Sequence, residues 1–156
     1  MRLLLIRHGE AIPGQDDFSR PLSTKGRTDI SSLGKDLAAR EISPRMVFCS
    51  DAKRTFETYE HLNLSDHTVI FSNIIYMANH FSELIELVAT HPQHERFSSQ
   101  TIAIIGHNPT ISALASHLVG DFVGFNPGEA TLLECSEVDW EVAIQVGSCW
   151  KLKNKF

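Results

Sequence analysis

The feature that most constrains this chain is a set of short, almost uninterrupted apolar runs separated by segments of helical periodicity. The clearest runs predict strands at Leu3 to Arg7 and at Thr101 to Gly106. Such runs are typical of strands buried on both faces, which occur in parallel sheets covered by helices. We therefore predict one α/β domain over residues 1–156, a three-layer α/β/α sandwich with a mostly parallel central sheet.

The rest of the chain supplies the alternating elements that this architecture needs. Ser23, Ser50 and Asn108 are predicted helix N-caps, and proline after Asn108 suits a first helical position. Further strands are predicted at Met46 to Cys49, Val69 to Ser72, Thr131 to Ser136 and Val142 to Val146, the last two as a hairpin. Helices are predicted from Ser23 to near Arg40, from near Asp51 to Leu62, from Phe81 to Thr90 and after Asn108.

Composition narrows the function classes. A hydrophobic fraction of 42% and a charged fraction of 21% are ordinary for a folded protein, and a net charge of -5 argues against affinity for nucleic acid or an anionic membrane. No apolar run is long enough for a signal peptide or a membrane span. Cys49, Cys135 and Cys149 are odd in number and widely spaced, which favours small buried side chains in a reducing, cytoplasmic setting over a disulfide framework.

Residues whose side chains can take part in catalysis or bind an anion follow three of the predicted strands. Arg7 and His8 end the first strand, Arg54 follows the second, and His107 follows the fourth. Ligands of open α/β sheets bind beyond the carboxyl ends of the strands, so we expect these residues to meet at one edge. Each of these motifs alone is common by chance. The prediction depends on finding all three in this order, each at the end of a strand.

Two arginines, two histidines and a helix N-terminus describe a site for a phosphoryl group. The guanidinium groups of Arg7 and Arg54 match phosphate oxygens, and the backbone N–H groups after His107 favour an anion. A neutral His8 imidazole can attack phosphorus, and nearby arginines disfavour its protonation. His107 and both arginines would compensate charge on the transferring group.

These motifs resemble the histidine phosphatase superfamily, whose fold is phosphoglycerate mutase-like. The matching segments are LIRHGE at residues 5–10, PLSTKG at 21–26, SDAKRTFET at 50–58 and GHNP at 106–109. The resemblance implies that His8 is the nucleophile and that Arg7, Arg54 and His107 bind the phosphoryl group. Asp51 stands where the family usually has proline, which adds a negative charge near the anion site.

Within that family the sequence is most similar to the small bacterial phosphohistidine phosphatases of the SixA type. The chain length and the RPLS context at residues 20–23 agree, and the short connections leave no room for a lid insertion. The segment from Tyr76 to Phe81 lacks the carboxylic acid that would protonate an alcohol leaving group. An imidazole leaving group titrates near 6.5 and needs less help, so we predict a phosphohistidine-bearing protein as substrate.

Other residues have weaker claims to the site. Arg20 and Asn108 are candidate substrate-binding residues, Glu10 could orient the His8 loop, and His80 and Glu83 are remote candidates for the missing acid. The remaining histidines are interpreted as surface residues because no cluster has metal-ligand spacing; they are His61, His67, His91, His94 and His117. We expect no metal and no organic cofactor.

Two other functions stay open from the sequence. One is a phosphatase for small phosphate esters or anhydrides, which would need pocket walls and a hidden acid. The other is a phosphate-binding or interaction module without catalysis, which would bind phosphate but form no phosphoenzyme. The sequence does not define the oligomeric state, and a monomer is compatible with it.

Overall fold

The computed structural model describes residues 1–14, 16–91, 100–136, 139–145 and 149–156. Its strands are β1 (Arg2–Arg7), β2 (Met46–Ser50), β3 (Thr68–Ser72), β4 (Thr101–Gly106), β5 (Ala130–Glu134) and β6 (Lys151–Lys155). Its helices are α1 (Thr24–Ala39), α2 (Lys53–Leu62), α3 (Asn73–Met77), α4 (Phe81–Ala89), α5 (Thr110–Val119) and α6 (Trp140–Gln145). None of these helices is long and apolar enough to cross a membrane.

The strands form one six-stranded sheet in the order β3-β2-β4-β1-β5-β6. The first four strands in this order pair in parallel, and β5 and β6 pair antiparallel at one side. Arg7 lies opposite Gly106 in the β1–β4 register, and Cys49 lies opposite Ile105 in the β2–β4 register. The mostly parallel sheet is therefore confirmed, and the ends of β1, β2 and β4 are level at one edge.

Each strand of the sheet centre contributes to two hydrophobic layers because successive side chains point to opposite faces. On β1, Leu3 and Leu5 pack with residues of α3, α4, α5 and α6, whereas Leu4 and Ile6 pack with residues of α1 and α2. All four leucine and isoleucine side chains are fully buried. This double burial explains the continuous apolar run and confirms the three-layer arrangement.

The C-terminal part of the chain differs from the predicted hairpin. The strand predicted at Val142 to Val146 is wrong, since residues 140–145 form α6, and residue 146 lies outside the described residues. Trp140, Ala143 and Ile144 are buried and Val142 is exposed, which is helical spacing. The partner of β5 is instead β6, whose pattern of three lysines gave no strand signal.

Two of the three predicted N-caps are also wrong. Ser23 caps α1 as predicted, because its hydroxyl accepts a hydrogen bond from the Gly26 N–H at 2.9 Å. Helices α2 and α5 begin later, after Ala52 and Pro109, and have no side-chain cap. The side chains of Ser50 and Asn108 instead make tertiary contacts at the sheet edge, described below.

The cysteines are buried or half-buried, as expected. Although Cys135 and Cys149 are separated in sequence, their sulfur atoms lie 2.7 Å apart in the fold. The two tryptophans, Trp140 and Trp150, pack together with ring centroids 5.6 Å apart beside β5.

Candidate active site

His8 lies immediately beyond β1, at the level edge of the sheet. Its backbone N–H donates to the Gly106 carbonyl at 3.1 Å, which continues the pairing with β4. The side chain is only 8% exposed, and its Nδ1 lies 2.7 Å from the Gly9 carbonyl. A carbonyl can only accept, so Nδ1 carries the proton and the lone pair is on Nε2.

Arg54, in the first turn of α2, holds the two histidines together. Its Nε–H donates to His8 Nε2 at 3.2 Å, and Nη2 lies 3.1 Å from His107 Nδ1. The two imidazole rings are 5.1 Å apart between centroids. The structure therefore brings three of the predicted catalytic residues, His8, Arg54 and His107, into one hydrogen-bonded cluster.

His107 follows β4, and its second nitrogen is also committed. Since Nδ1 accepts from Arg54, Nε2 carries the proton and donates to the Ser50 hydroxyl at 2.8 Å. Ser50 is fully buried at the end of β2. This contact explains why Ser50 positions a histidine rather than capping α2.

Arg7 enters the site from the other side, through the loop before β5. Its Nη1 donates to the Phe125 carbonyl at 2.8 Å, and the Asn108 side-chain amide donates to the same carbonyl at 3.1 Å. Asn108 also accepts from the Ser112 hydroxyl at 2.7 Å. Among the described residues, Arg7 Nε is buried without a hydrogen-bond partner, so its N–H is one of the Arg7 donors that remain for a ligand oxygen.

The loop that carries His8 is fixed by backbone contacts. The Gly9 N–H donates to the Thr58 hydroxyl at 3.0 Å, and the Ser23 N–H donates to the Glu10 carbonyl at 2.8 Å. Glu10 accepts from the Ser23 hydroxyl at 2.6 Å, so it ties this loop to α1, in line with its predicted orienting role. A Cβ atom at Gly26 would overlap the Glu10 carbonyl oxygen, so only glycine allows this approach.

Both histidines are neutral at physiological pH. Burial, with smaller contributions from the charges of Arg54, Arg7 and Arg20, lowers the pKa of His8 to about 4, against the hydrogen bond to the Gly9 carbonyl, which raises it. Burial also lowers the pKa of His107 to about 3, with Arg54 as the next cause. A neutral His8 with its lone pair on Nε2 is the state that a nucleophile requires.

Asp17, in the loop between β1 and α1, is a site residue that sequence reasoning missed. Its carboxylate accepts from Arg54 Nη2 at 3.0 Å and from the Tyr76 hydroxyl at 3.3 Å. Partial burial would raise the pKa of Asp17, but the charge and hydrogen bond of Arg54 and the charge of Arg20 hold it below its usual range. The only sequence signal was an acidic residue in a loop at the correct sheet edge.

Arg20 lies at the rim of the same cluster. Its Nε is 3.4 Å from Asp17 Oδ1, and its charge reaches His8, whose pKa it lowers. The structure thus brings Arg20 close to the predicted nucleophile, although through Asp17 rather than by direct contact.

A concave surface of about 380 Å³ opens in front of Arg54 and His107. Its lining also includes Asp17, Tyr76 and Asn79. Residues 75–79 form one wall of this surface, and none of them is a carboxylate. An adjacent concave surface of about 660 Å³ shares Asn108 with it.

The two remote acid candidates have a structural role instead. His80 and Glu83 form a capping box at the start of α4. The Glu83 carboxylate accepts from the backbone N–H groups of Asn79 at 3.0 Å and of His80 at 3.1 Å. These bonds satisfy helix N–H groups and leave Glu83 poorly placed to donate a proton.

The other histidines make local contacts. His67 lies 3.0 Å from the Tyr59 hydroxyl, His117 stacks on Phe81, and His91 packs against Phe48. His94 lies outside the described residues. Within the described part of the chain, no group of three side chains could hold a metal ion.

Comparison with known proteins finds a family match in the N-terminal half of the chain. Residues 3–72 match the model of the histidine phosphatase superfamily (branch 1). An uncharacterized chloroplastic protein of Arabidopsis thaliana is 28% identical over 166 residues, which is 97% of this chain and 75% of that protein.

Solved structures extend the likeness to the whole fold. A protein assigned provisionally as the phosphohistidine phosphatase SixA of Nakamurella multipartitia superposes with a TM-score of 0.86 and 24% identity, over 99% of this chain and 94% of that one. The protein histidine phosphatase SixA complexed with tungstate superposes with a TM-score of 0.77 and 18% identity, over 99% and 96%. The predicted resemblance to this superfamily and its phosphoglycerate mutase-like fold are confirmed.

Proposed function

We propose that this chain, with the motifs and fold of the histidine phosphatase superfamily, is a phosphatase that takes a phosphoryl group from a phosphohistidine-bearing protein. His8 Nε2 accepts the group, and water then removes it. The observation that carries this proposal is the neutral His8 imidazole, whose Nδ1 proton is held by Gly9 and whose Nε2 faces Arg54 at 3.2 Å.

The first step exchanges one phosphorus–nitrogen bond for another. The His8 Nε2 lone pair forms a bond to phosphorus while the bond to the substrate imidazole breaks. The electron pair leaves with that imidazole, which departs neutral because its other ring nitrogen carries a proton. Arg54 Nε–H turns from Nε2 to a phosphoryl oxygen as the lone pair is used. The unpartnered Nε–H of Arg7 supplies a second donor, so charge on the transferring oxygens is compensated from two directions.

The charges of the site suit a phosphoryl dianion. Three guanidinium groups, those of Arg7, Arg20 and Arg54, act on His8, and one carboxylate, that of Asp17, pairs with two of them, Arg20 and Arg54. With both histidines neutral, two positive charges remain to balance the incoming group. This electrostatic match supports a phosphoryl ligand over a neutral one.

The available acids favour phosphohistidine over a phosphate ester. Among the described residues, Asp17 is the carboxylate that contacts the predicted phosphoryl-binding residues, and its lowered pKa keeps it ionised at neutral pH. An ionised carboxylate cannot protonate an alkoxide, whose conjugate acid has a pKa comparable to the 15.7 of water. A phosphohistidine whose second ring nitrogen carries a proton releases neutral imidazole, whose conjugate acid has a pKa of about 6.5, so no proton is needed at the departing nitrogen.

The test is single-turnover dephosphorylation of a protein that carries phosphohistidine. Wild type should form a phosphoenzyme and release phosphate, whereas His8→Ala should lose phosphoenzyme formation and slow turnover by at least about a thousandfold. His117→Ala, a histidine exposed on α5, is the matched control and should behave as wild type.

Two outcomes would contradict the proposal. Turnover of a simple alkyl phosphate without turnover of phosphohistidine would indicate an ester phosphatase with an acid that we have not identified. Tight binding of vanadate without any phosphoenzyme would indicate a non-catalytic phosphate-binding module.

A further inference from the structure

Asp17 is held in place by its backbone as well as by its side chain. Its carbonyl accepts from Arg54 Nη1 at 2.6 Å, and the next carbonyl, that of Phe18, accepts from the Lys53 N–H at 3.0 Å. The Phe18 ring packs edge-on against Tyr76 with centroids 5.0 Å apart. The loop therefore packs on the start of α2, and its backbone hydrogen bonds help to fix the position of the Asp17 carboxylate.

The carboxylate faces the reacting groups across one guanidinium. Arg54 Nη2 lies 3.0 Å from Asp17 Oδ2 and 3.1 Å from His107 Nδ1, and the same guanidinium contacts His8 Nε2 through Nε. Asp17 and His107 line the same concave surface. The Asp17 side chain is 56% exposed, so solvent water reaches it.

Hydrolysis of a phosphohistidine on His8 needs a group that takes a proton from water. The groups near His8 other than Asp17 already make hydrogen bonds that occupy them. His107 uses both nitrogens, one toward Arg54 and one toward Ser50. Glu10 accepts from the Ser23 hydroxyl, and Glu83 caps α4. Among the described residues at the pocket, Asp17 is the one carboxylate with solvent access and a contact to Arg54.

We infer that Asp17 is the catalytic base of the second step, an inference that rests on the function proposed above. A water oxygen bonds to phosphorus as the bond between phosphorus and His8 Nε2 breaks. The electron pair of that bond returns to Nε2, and His8 is again a neutral imidazole with its proton on Nδ1. The water proton passes to the Asp17 carboxylate and then to solvent, and hydrogen phosphate leaves.

The test measures formation and decay of the phosphoenzyme separately by rapid quench. Asp17→Asn keeps the size of the side chain and the backbone contact to Arg54 but removes the base. Formation should stay within about threefold of wild type, whereas decay should slow by about a hundredfold or more, so that phosphoenzyme accumulates. Asp16→Asn, which makes the same charge change one residue away, is the matched control and should decay normally.

A second readout separates a base from a residue that only positions Arg54. A residue that only positions Arg54 would slow formation and decay alike, because Arg54 contacts His8 in both steps, whereas loss of a base slows decay alone. Asp17→Glu, which restores a carboxylate, should recover part of the decay rate. Loss of formation and decay by equal factors, or decay at the wild-type rate in Asp17→Asn, would overturn the inference while leaving the proposed function intact. Absence of phosphoenzyme in wild type would refute the proposed function and this inference with it.

Discussion

Acid should destabilise the fold through His8, and the size of the effect follows from its surroundings. In the unfolded chain a histidine titrates near 6.5, whereas in the fold burial and three arginines lower the pKa of His8 to about 4. Between these values the unfolded state binds a proton that the folded state does not. The contribution of His8 to the free energy of unfolding is therefore fully present above pH 6.5 and is lost as the pH decreases toward 4. The lowered pKa of His8 alone corresponds to a loss of about 3 kcal/mol in the free energy of unfolding over this pH range.

Urea unfolding of wild type and His8→Asn at several pH values between 7.5 and 4 measures this contribution. Asparagine does not titrate, and its amide can still donate to the Gly9 carbonyl. The free energy of unfolding of wild type should fall by about 3 kcal/mol more than that of the variant over this range. His117→Asn, at an exposed position, should retain the wild-type slope.

Parallel pH profiles for wild type and His8→Asn would refute the reasoning. They would mean that His8 titrates in the fold as it does in the unfolded chain. A histidine of that kind would be partly protonated below neutral pH, and the neutral nucleophile on which the proposed reaction depends would be lost.

Two further predictions follow from the same contacts. Tungstate at a hundredfold excess over its Kd should stabilise wild type by about 2.7 kcal/mol, which a thermal-shift assay detects. Arg54→Gln should remove this shift. An equal shift in the variant would mean that the anion binds away from Arg54. Gly26→Ala should destabilise the protein by about 1–3 kcal/mol in urea unfolding, because the added methyl group overlaps the Glu10 backbone. Wild-type stability of that variant would contradict the close approach of α1 to the His8 loop.

The sequence was sufficient for the sheet centre and for the residues at its edge. Buried parallel strands are continuous apolar runs, and the residue after each strand is placed by the sheet, so Arg7, His8 and His107 could be positioned without any structure. Arg54 could be placed because it follows β2 by four residues, within the first turn of α2. Their chemical roles remain predictions until the variants are measured.

The sequence was not sufficient to predict features whose position is determined by tertiary contacts. Asp17 lies in a loop without periodicity, and its direction is set by Arg54 and Tyr76, which are distant in sequence. Ser50 has a good N-cap sequence, yet His107 provides the partner for its hydroxyl. Residues 142–146 are a short apolar run, for which periodicity alone does not distinguish a strand from a helix.

The contacts of Arg54 suggest why such a site can be ordered before substrate arrives. A buried guanidinium needs acceptors, and the lone pairs of His8 Nε2 and His107 Nδ1 supply them in the absence of a ligand. In the proposed reaction the His8 lone pair becomes a bond to phosphorus, so that acceptor disappears as the phosphoryl oxygens arrive. The Arg54 N–H is then released at the place where negative charge must be stabilised. A donor that gains its partner only as the bond forms stabilises the transition state more than the free site, which is the condition for catalysis.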